Sequence, residues 1–481
     1  MGKNKEEMDI LIESLEFPDK AIGVELLPVQ RDAVDQFLEI ETSFEKRPKG
    51  REIVGKGGLP GQVYRARKKR NRSGRAEVDF LGLLKKSPLE VPPQCAHFEE
   101  CGGCSYQNLS YDGEVLLKNQ QLRTLFDKAG FHIPVPLRRS PRYEGYRNKM
   151  EYTFGDQEKD GALTLGLHSP GHYYDIVPTP DCRIVPADFN TIRKAVERLF
   201  RKKNLSYYRK QTKKGLLRYC ILRAALSTGQ LMVNLVTTSE PGFDEGVKTD
   251  FIAALLQLNL HFPLVSIYHT LSDSPSDAVV PENVRLLWGR AAIDETLCGL
   301  TFKVGPFSFF QPNIYTAELL YERALELAGD LEGKHVFDLY CGTGTLTQLL
   351  AKKAQRVVGI EINEEAIEMA RKSAEINEIP NIQFIAGDVL DELDRFKEKG
   401  DRPDLLLIDP PRSGIHPKAL EKMIETQAPK IIYISCNPKT QIRDLVSFQE
   451  GGYEVKRAQA MDQFPKTRHV ESVVLMSKEK S

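Results

Sequence analysis

The hydrophobic and polar positions divide the chain into regions with different periods. From about residue 313, apolar runs at 335–339, 356–360, 382–385, 404–408 and 430–434 alternate with helical periods such as 314–328, 364–377 and 417–426. A strand that is apolar at every position has both faces covered, so this alternation predicts a doubly wound, Rossmann-like α/β sheet over residues 301–481. Residues 143–300 mix strand-like runs (149–155, 230–236) with a helical period at 189–201, which predicts a mixed α/β central domain. Residues 1–87 carry period-two stretches at 62–67 and 76–81, preceded by a glycine-rich turn at 57–61, and read as a small β-rich module. A proline-containing connector and a cysteine-rich loop fill residues 88–142.

At 481 residues the chain is long enough for several domains, each with its own core. Lys+Arg and Asp+Glu both number 67, so binding of nucleic acid by bulk charge is excluded and any such contact needs a local patch. One candidate is the run Arg65, Arg67, Lys68, Lys69, Arg70, Arg72 and Arg75, readable either as a solvated hairpin tip or as a hairpin that meets phosphates. No apolar run reaches the roughly 18 residues of a membrane span, and the N-terminus does not read as a signal peptide. A cytoplasmic protein away from membranes is expected, with its eight cysteines reduced or metal-bound.

In a doubly wound sheet, ligands sit beyond the carboxyl ends of the strands. The first strand runs into Asp338, Tyr340, Cys341, Gly342 and Gly344, a Gly-x-Gly turn without the dinucleotide or P-loop spacing. That turn suits S-adenosylmethionine, a nucleoside without phosphates. Glu361 ends the second strand, where a carboxylate can accept both ribose hydroxyls, and Asp388 ends the third, beside the adenine amine. The fourth strand ends Asp409-Pro-Pro-Arg412 and the fifth Ser435-Cys436-Asn437-Pro438. Enzymes that methylate exocyclic amines commonly carry an aromatic residue where Arg412 stands. A cysteine one strand away suits a different target, carbon 5 of uracil, which becomes nucleophilic once a thiolate has added to carbon 6. A base for the carbon-5 proton is available at Glu471, just before the apolar strand 472–476. The plainer readings are a buried core cysteine and an exposed strand residue; the shared sheet edge favours the catalytic pair.

Cys95, Cys101, Cys104 and Cys182 form a C-x5-C-x2-C trio with a distant fourth thiol. Four thiolates bind either zinc or an iron–sulfur cluster. Cys220, Cys298 and Cys341 lack such partners and read as structural.

Taken together these residues resemble the RNA uracil-C5 methyltransferases, which make 5-methyluridine in ribosomal and transfer RNA. The resemblance spans nearly the whole chain. It implies that residues 1–87 form a TRAM-like β-barrel that binds RNA, carrying an insertion near 29–50. It implies a [4Fe–4S] cluster on Cys95, Cys101, Cys104 and Cys182. It implies cofactor contacts from Gln311, Tyr340, Glu361 and Asp409, with Cys436 as nucleophile and Glu471 as proton acceptor. The expected partner is RNA, 23S ribosomal RNA ahead of transfer RNA, bound by a monomer and with its target base flipped out, where Phe309 could stack on it. Two other classes compete. Radical methylthiotransferases also join a TRAM domain to a cluster, but on a C-x3-C-x2-C motif; a non-catalytic RNA-binding protein would have no need of Cys436 and Glu471.

Overall fold

The computed structural model describes residues 7–26, 52–276 and 278–478; the expected insertion near 29–50 lies outside them. The chain divides into two compact units, residues 1–94 with 106–137, and residues 95–105 with 138–481.

In the first unit, β1 (Glu7–Glu16), β2 (Lys20–Glu25), β3 (Ile53–Lys56), β4 (Val63–Arg72) and β5 (Arg75–Lys85) close into a barrel in the order β1-β2-β3-β5-β4. Closure leaves no unpaired sheet edge. Alternating residues Met8, Ile10, Ile53, Ala66, Ala76 and Val78 make one apolar cluster. Gly55 is needed because a Cβ there would lie 2.3 Å from the Phe80 ring. Helix α1 (Tyr111–Lys128), capped by Ser110, adds Leu117 to a second cluster with Ile12, Leu15 and Leu59. The basic run lies on the β4–β5 hairpin, where acids of the same barrel meet its cations. Arg65 pairs with Asp9, Arg67 with Glu7, Lys69 with Asp79, Arg70 with Glu77, and Arg75 with Glu52 and Glu16. The sequence shows the cations as one block; the fold places carboxylates from other strands beside them.

The second unit holds a seven-stranded sheet, an eight-stranded sheet and a two-stranded hairpin between them in sequence. After the short β6 (Leu137–Arg138) come β7 (Lys149–Gly155), β8 (Thr164–Ser169), β9 (His172–Pro178), α2 (Ala187–Lys202), β10 (Leu217–Ala225), β11 (Gln230–Thr237), α3 (Glu245–Leu256), β12 (Leu264–Leu271) and β13 (Asn283–Gly289). Seven of these strands form a sheet in the order β13-β12-β11-β10-β7-β8-β9. Its core is aromatic, with Phe200 of α2 stacked on Phe251 of α3 at 5.5 Å. Arg223 of β10 donates to the carbonyls of Pro306 and Ser308, and burial pulls its pKa down to about 10. It therefore remains a cation at neutral pH and pins the segment that leads to Gln311.

The hairpin β14 (Ile293–Leu297) and β15 (Leu300–Val304) leads to α4 (Ile314–Ala328), β16 (His335–Leu339), α5 (Thr345–Ala351), β17 (Arg356–Glu361), α6 (Glu364–Ile376), β18 (Ile382–Ala386), α7 (Val389–Glu398), β19 (Leu405–Ile408), α8 (Pro417–Glu425), β20 (Lys430–Ser435), α9 (Pro438–Glu450), β21 (Tyr453–Met461) and β22 (Glu471–Lys478). The sheet order is β18-β17-β16-β19-β20-β22-β21-β6, with β16–β20 parallel and β22 antiparallel to β20. This is the doubly wound α/β architecture that the apolar runs predict. Strand order reverses between β16 and β19, which opens a crevice at their carboxyl ends. The core beneath it joins Leu320 of α4, Leu350 of α5, Val336, Val357 and Ile432.

Leu350→Ala empties a fully buried position of this core. It should destabilise the protein by roughly 2–5 kcal/mol, whereas Leu116→Ala on the exposed face of α1 should cost less than about 0.5 kcal/mol. Urea denaturation followed by fluorescence measures both.

Candidate functional site

A cleft of about 970 Å³ lies at the reversal, lined by the strand-end residues together with Phe309, Gln311, Cys436 and Glu471. That volume is at the upper end for small-molecule sites. One end is shaped for a nucleoside. Gly342 and Gly344 take positive φ (55° and 72°), which turns the chain sharply after β16. A Cβ on Gly344 would meet Phe384 at 2.7 Å, so the turn also packs directly on the third strand. Glu361 accepts from the amides of Gly342 (3.2 Å) and Asn363 (3.0 Å), which hold its carboxylate at the cleft. Next to it Ile362 lines the cleft and is 70 % exposed, an apolar side chain beside the carboxylate. Tyr340, also at positive φ, lines the same wall. Gln311 is buried, and its Oε1 accepts from Gln463 Nε2 at 3.0 Å.

Asp388 sits differently from the expected adenine contact. One of its oxygens accepts from Leu390 N at 2.8 Å and caps α7, and the residue is not among those lining the cleft. Its charge still reaches Tyr340, whose hydroxyl burial lifts to about 12.

The other end of the cleft is a cluster of acids around a thiol. Glu471, the first residue of β22, is buried, and desolvation and the charge of Asp409 push its pKa well above the usual carboxylate range. Asp409 is lifted to about 7, as is Asp338, whose carboxylate accepts from Thr347. Burial and the charge of Glu471 raise the Cys436 thiol to about 11, while a hydrogen bond and positive charge from Arg412 work the other way. The backbone of Arg412 is fixed toward Cys436, because its carbonyl accepts from Asn437 Nδ2 (3.0 Å) and Thr440 Oγ1 (3.3 Å). Cys341 also lines the cleft, but Asp338 and Glu361 add to burial in holding its thiol far above 9.0. Of the two cleft thiols, Cys436 is the one with a cation beside it.

The second unit brings the four candidate ligand cysteines to one region. All four are half-buried. Burial, followed by the charges of Cys101 and Cys95, raises Cys182 to about 11, so these sulfurs would repel one another as thiolates. Amides of Gly103 (3.4 Å) and of Ile184 and Val185 donate to Cys101 and Cys182. A soft, all-sulfur donor set that needs a cation and is already hydrogen-bonded fits a thiophilic centre. Among the described residues, no three His, Cys, Asp or Glu are gathered closely enough to hold a single ion. Cys220 is fully buried in the central core, in keeping with a structural role.

Arg412, Gln463, Tyr321 and Ile362 are functional candidates that motif reading misses. Arg412 is legible in the strand-end motif only as a departure from the aromatic pattern. Gln463 and Tyr321 carry no sequence signal, since their role comes from gripping Gln311 across 152 residues and within the buried core. An exposed isoleucine directly after a strand-end acid is a signal that periodicity alone leaves unused.

A family model for tRNA (uracil-5-)-methyltransferases matches residues 293–479. An uncharacterized RNA methyltransferase of Caldanaerobacter subterraneus subsp. tengcongensis is 44 % identical over 434 residues, covering 89 % of this chain and 94 % of the relative. One from Clostridium tetani is 40 % identical over 477 residues, covering 98 % of each. The crystal structure of Pyrococcus abyssi tRNA (uracil-54, C5)-methyltransferase in complex with S-adenosyl-L-homocysteine superposes with a TM-score of 0.71 at 27 % identity, covering 97 % of this chain and 100 % of that one. The cleft at the strand reversal and the full-length similarity lead to one conclusion: the chain belongs to the S-adenosylmethionine-dependent RNA uracil-C5 methyltransferase family.

Proposed function

We propose that the chain methylates carbon 5 of a uridine through a covalent adduct between Cys436 and carbon 6. The observation that carries this reading is the pairing of Cys436 with Arg412 beside the buried Glu471. Gln311, Tyr340, Glu361 and Asp409 hold the methyl donor, whose sulfonium supplies the electrophilic carbon. Cys436 Sγ bonds to carbon 6, and the displaced electron pair makes carbon 5 nucleophilic. Carbon 5 takes the methyl group as the sulfonium carbon–sulfur bond breaks. Glu471 removes the carbon-5 proton, the carbon 6–sulfur bond breaks, and the thiolate returns to Arg412. Phe309, 66 % exposed in the cleft, offers a stacking face for the extruded base.

The proposed substrate is 23S ribosomal RNA, a reading that rests on the cysteine set. A second reading, transfer RNA, draws support from the description of the matching family and from the Pyrococcus enzyme. In the same proposal the barrel is a TRAM-like RNA-binding domain and the protein acts as a monomer in the cytoplasm. Cys95, Cys101, Cys104 and Cys182 hold a [4Fe–4S] cluster, which would cross-link the loop to the central sheet; methyl transfer itself moves no electrons. Mass spectrometry of 5-methyluridine in ribosomal and transfer RNA from cells lacking the protein decides between the substrates, and loss from neither would overturn the assignment.

Three further outcomes are expected. RNA containing 5-fluorouridine should trap wild-type protein as a covalent complex. Cys436→Ala should bind that RNA without an adduct, and Glu471→Gln should accumulate a methylated covalent complex on ordinary RNA, both visible on denaturing gels. The pH profile follows from the carboxyl and thiol shifts. Glu471 acts ionised and its pKa is raised, so activity is lost as pH falls through that raised value rather than through 4.5. Cys436, raised to about 11, gains thiolate as pH rises. The rate should therefore keep climbing from about pH 6 to about pH 9. Arg412→Met should slow trapping by about tenfold or more, since each further pKa unit removes tenfold of the thiolate.

A further inference from the structure

The segment between β21 and β22 carries Glu471 into the cleft, and it is held at two separate places. At its start, Gln463 donates to Gln311 Oε1 and to the Asn313 carbonyl (3.0 and 3.1 Å). Three residues later the chain turns, with Lys466 at φ 66° although it is buried. Both carbonyls of that turn are taken by distant donors. The Tyr146 hydroxyl donates to the Pro465 carbonyl at 2.9 Å, and the Ser105 amide donates to the Lys466 carbonyl at 2.8 Å. Thr467 and His469, which follow, line the cleft with Glu471, as do Gly102, Gly103 and Ser105 from the cysteine loop.

We propose that the Tyr146 hydroxyl and the Ser105 amide are positioning groups for Glu471, and that they couple the cysteine loop to the removal of the carbon-5 proton. This deepens the covalent reading and rests on it. A turn at positive φ needs its carbonyls held, because a non-glycine residue there is strained and relaxes when released. Ser105 directly follows Cys104, so whatever fixes that thiol also fixes the amide donor. Cys436 and Arg412 hang from β20 and β19 instead, and their placement does not depend on this turn. The coupling therefore acts on the last chemical step and leaves thiol addition alone.

Two assays separate the steps. Fluorine at carbon 5 cannot leave as a proton does, so fluorouridine trapping reports addition and methyl transfer without Glu471. Release of tritium from [5-³H]uridine in RNA reports proton removal. Tyr146→Phe removes only a hydroxyl from a fully buried ring. It should slow tritium release by about one to two orders of magnitude at an unchanged trapping rate and KM for RNA. Tyr152→Phe is the control: that ring is equally buried, and its hydroxyl has no hydrogen-bond partner among the described residues, so both rates should stay at wild type. Hydrogen exchange supplies a readout free of activity. Amides of residues 466–470 should exchange faster in Tyr146→Phe, in Ser105→Pro, and in wild-type protein stripped of thiol-bound metal by chelation, but not in Tyr152→Phe. Unchanged tritium release in Tyr146→Phe, an equal loss of trapping and release, or unchanged exchange would each overturn the proposal. A wild type that never traps would sink the covalent reading instead, and the exchange data would still decide whether the two donors hold the turn.

Discussion

The arrangement depends on negative charge kept away from water. Asp338, Asp409 and Glu471 all have carboxyls lifted above their ordinary range, and their charges raise one another: Asp409 raises both Asp338 and Glu471. Such a cluster is costly in a protein interior unless positive charge is brought to it. Within the chain Arg412 supplies some of it, lowering both Glu471 and Cys436. The rest suits a ligand that is itself a cation. A sulfonium bound beside Asp409 would favour the ionised form of Glu471. By linkage, ionised Glu471 would favour the sulfonium equally.

The same field separates the two cleft thiols. Cys341 and Cys436 both line the cleft, and a sequence reading separates them only by motif. Physically, Cys341 is packed against the glycine of β17, where a Cβ on Gly359 would come within 3.1 Å of its sulfur, and it faces Asp338 and Glu361. Cys436 faces a guanidinium whose backbone is tied down by Asn437 and Thr440.

Much of the methyltransferase sheet was legible because its strands are apolar on both faces and its helices have a strong period. The helix at 314–328 and the strand at 335–339 match to the residue. The place of the strand-end motifs was legible too, since the cleft opens where the parallel strands stop. What stayed hidden depends on contacts between residues far apart in sequence. The basic hairpin looked like an unneutralised block because its carboxylate partners lie on β1, at the end of β2's neighbour β3, and across the β4–β5 turn. Asp388 read as a ligand contact because strand-end acids in this sheet usually are; a helix begins at the next residue, and the capping bond claims one oxygen. Gln463 was invisible for the opposite reason, being an ordinary glutamine until the fold sets it against Gln311.

The cleft also keeps apolar surface in water. Ile362 and Phe309 are 70 % and 66 % exposed, in a molecule whose other large side chains of this kind are mostly covered. Covering such a side chain is worth roughly 1.5–3 kcal/mol, so the bare cleft leaves that stabilisation unrealised. The two residues stand with different chemistry: Ile362 beside the cleft carboxylate of Glu361, Phe309 in the segment pinned by Arg223 that runs on to Gln311. An adenine ring over the first and a flipped base on the second would each remove apolar surface from water, while a cationic sulfur relieves the acids between them. The unfavourable features of the empty cleft are thus of two kinds, and a nucleoside sulfonium together with an unstacked pyrimidine answers both at once.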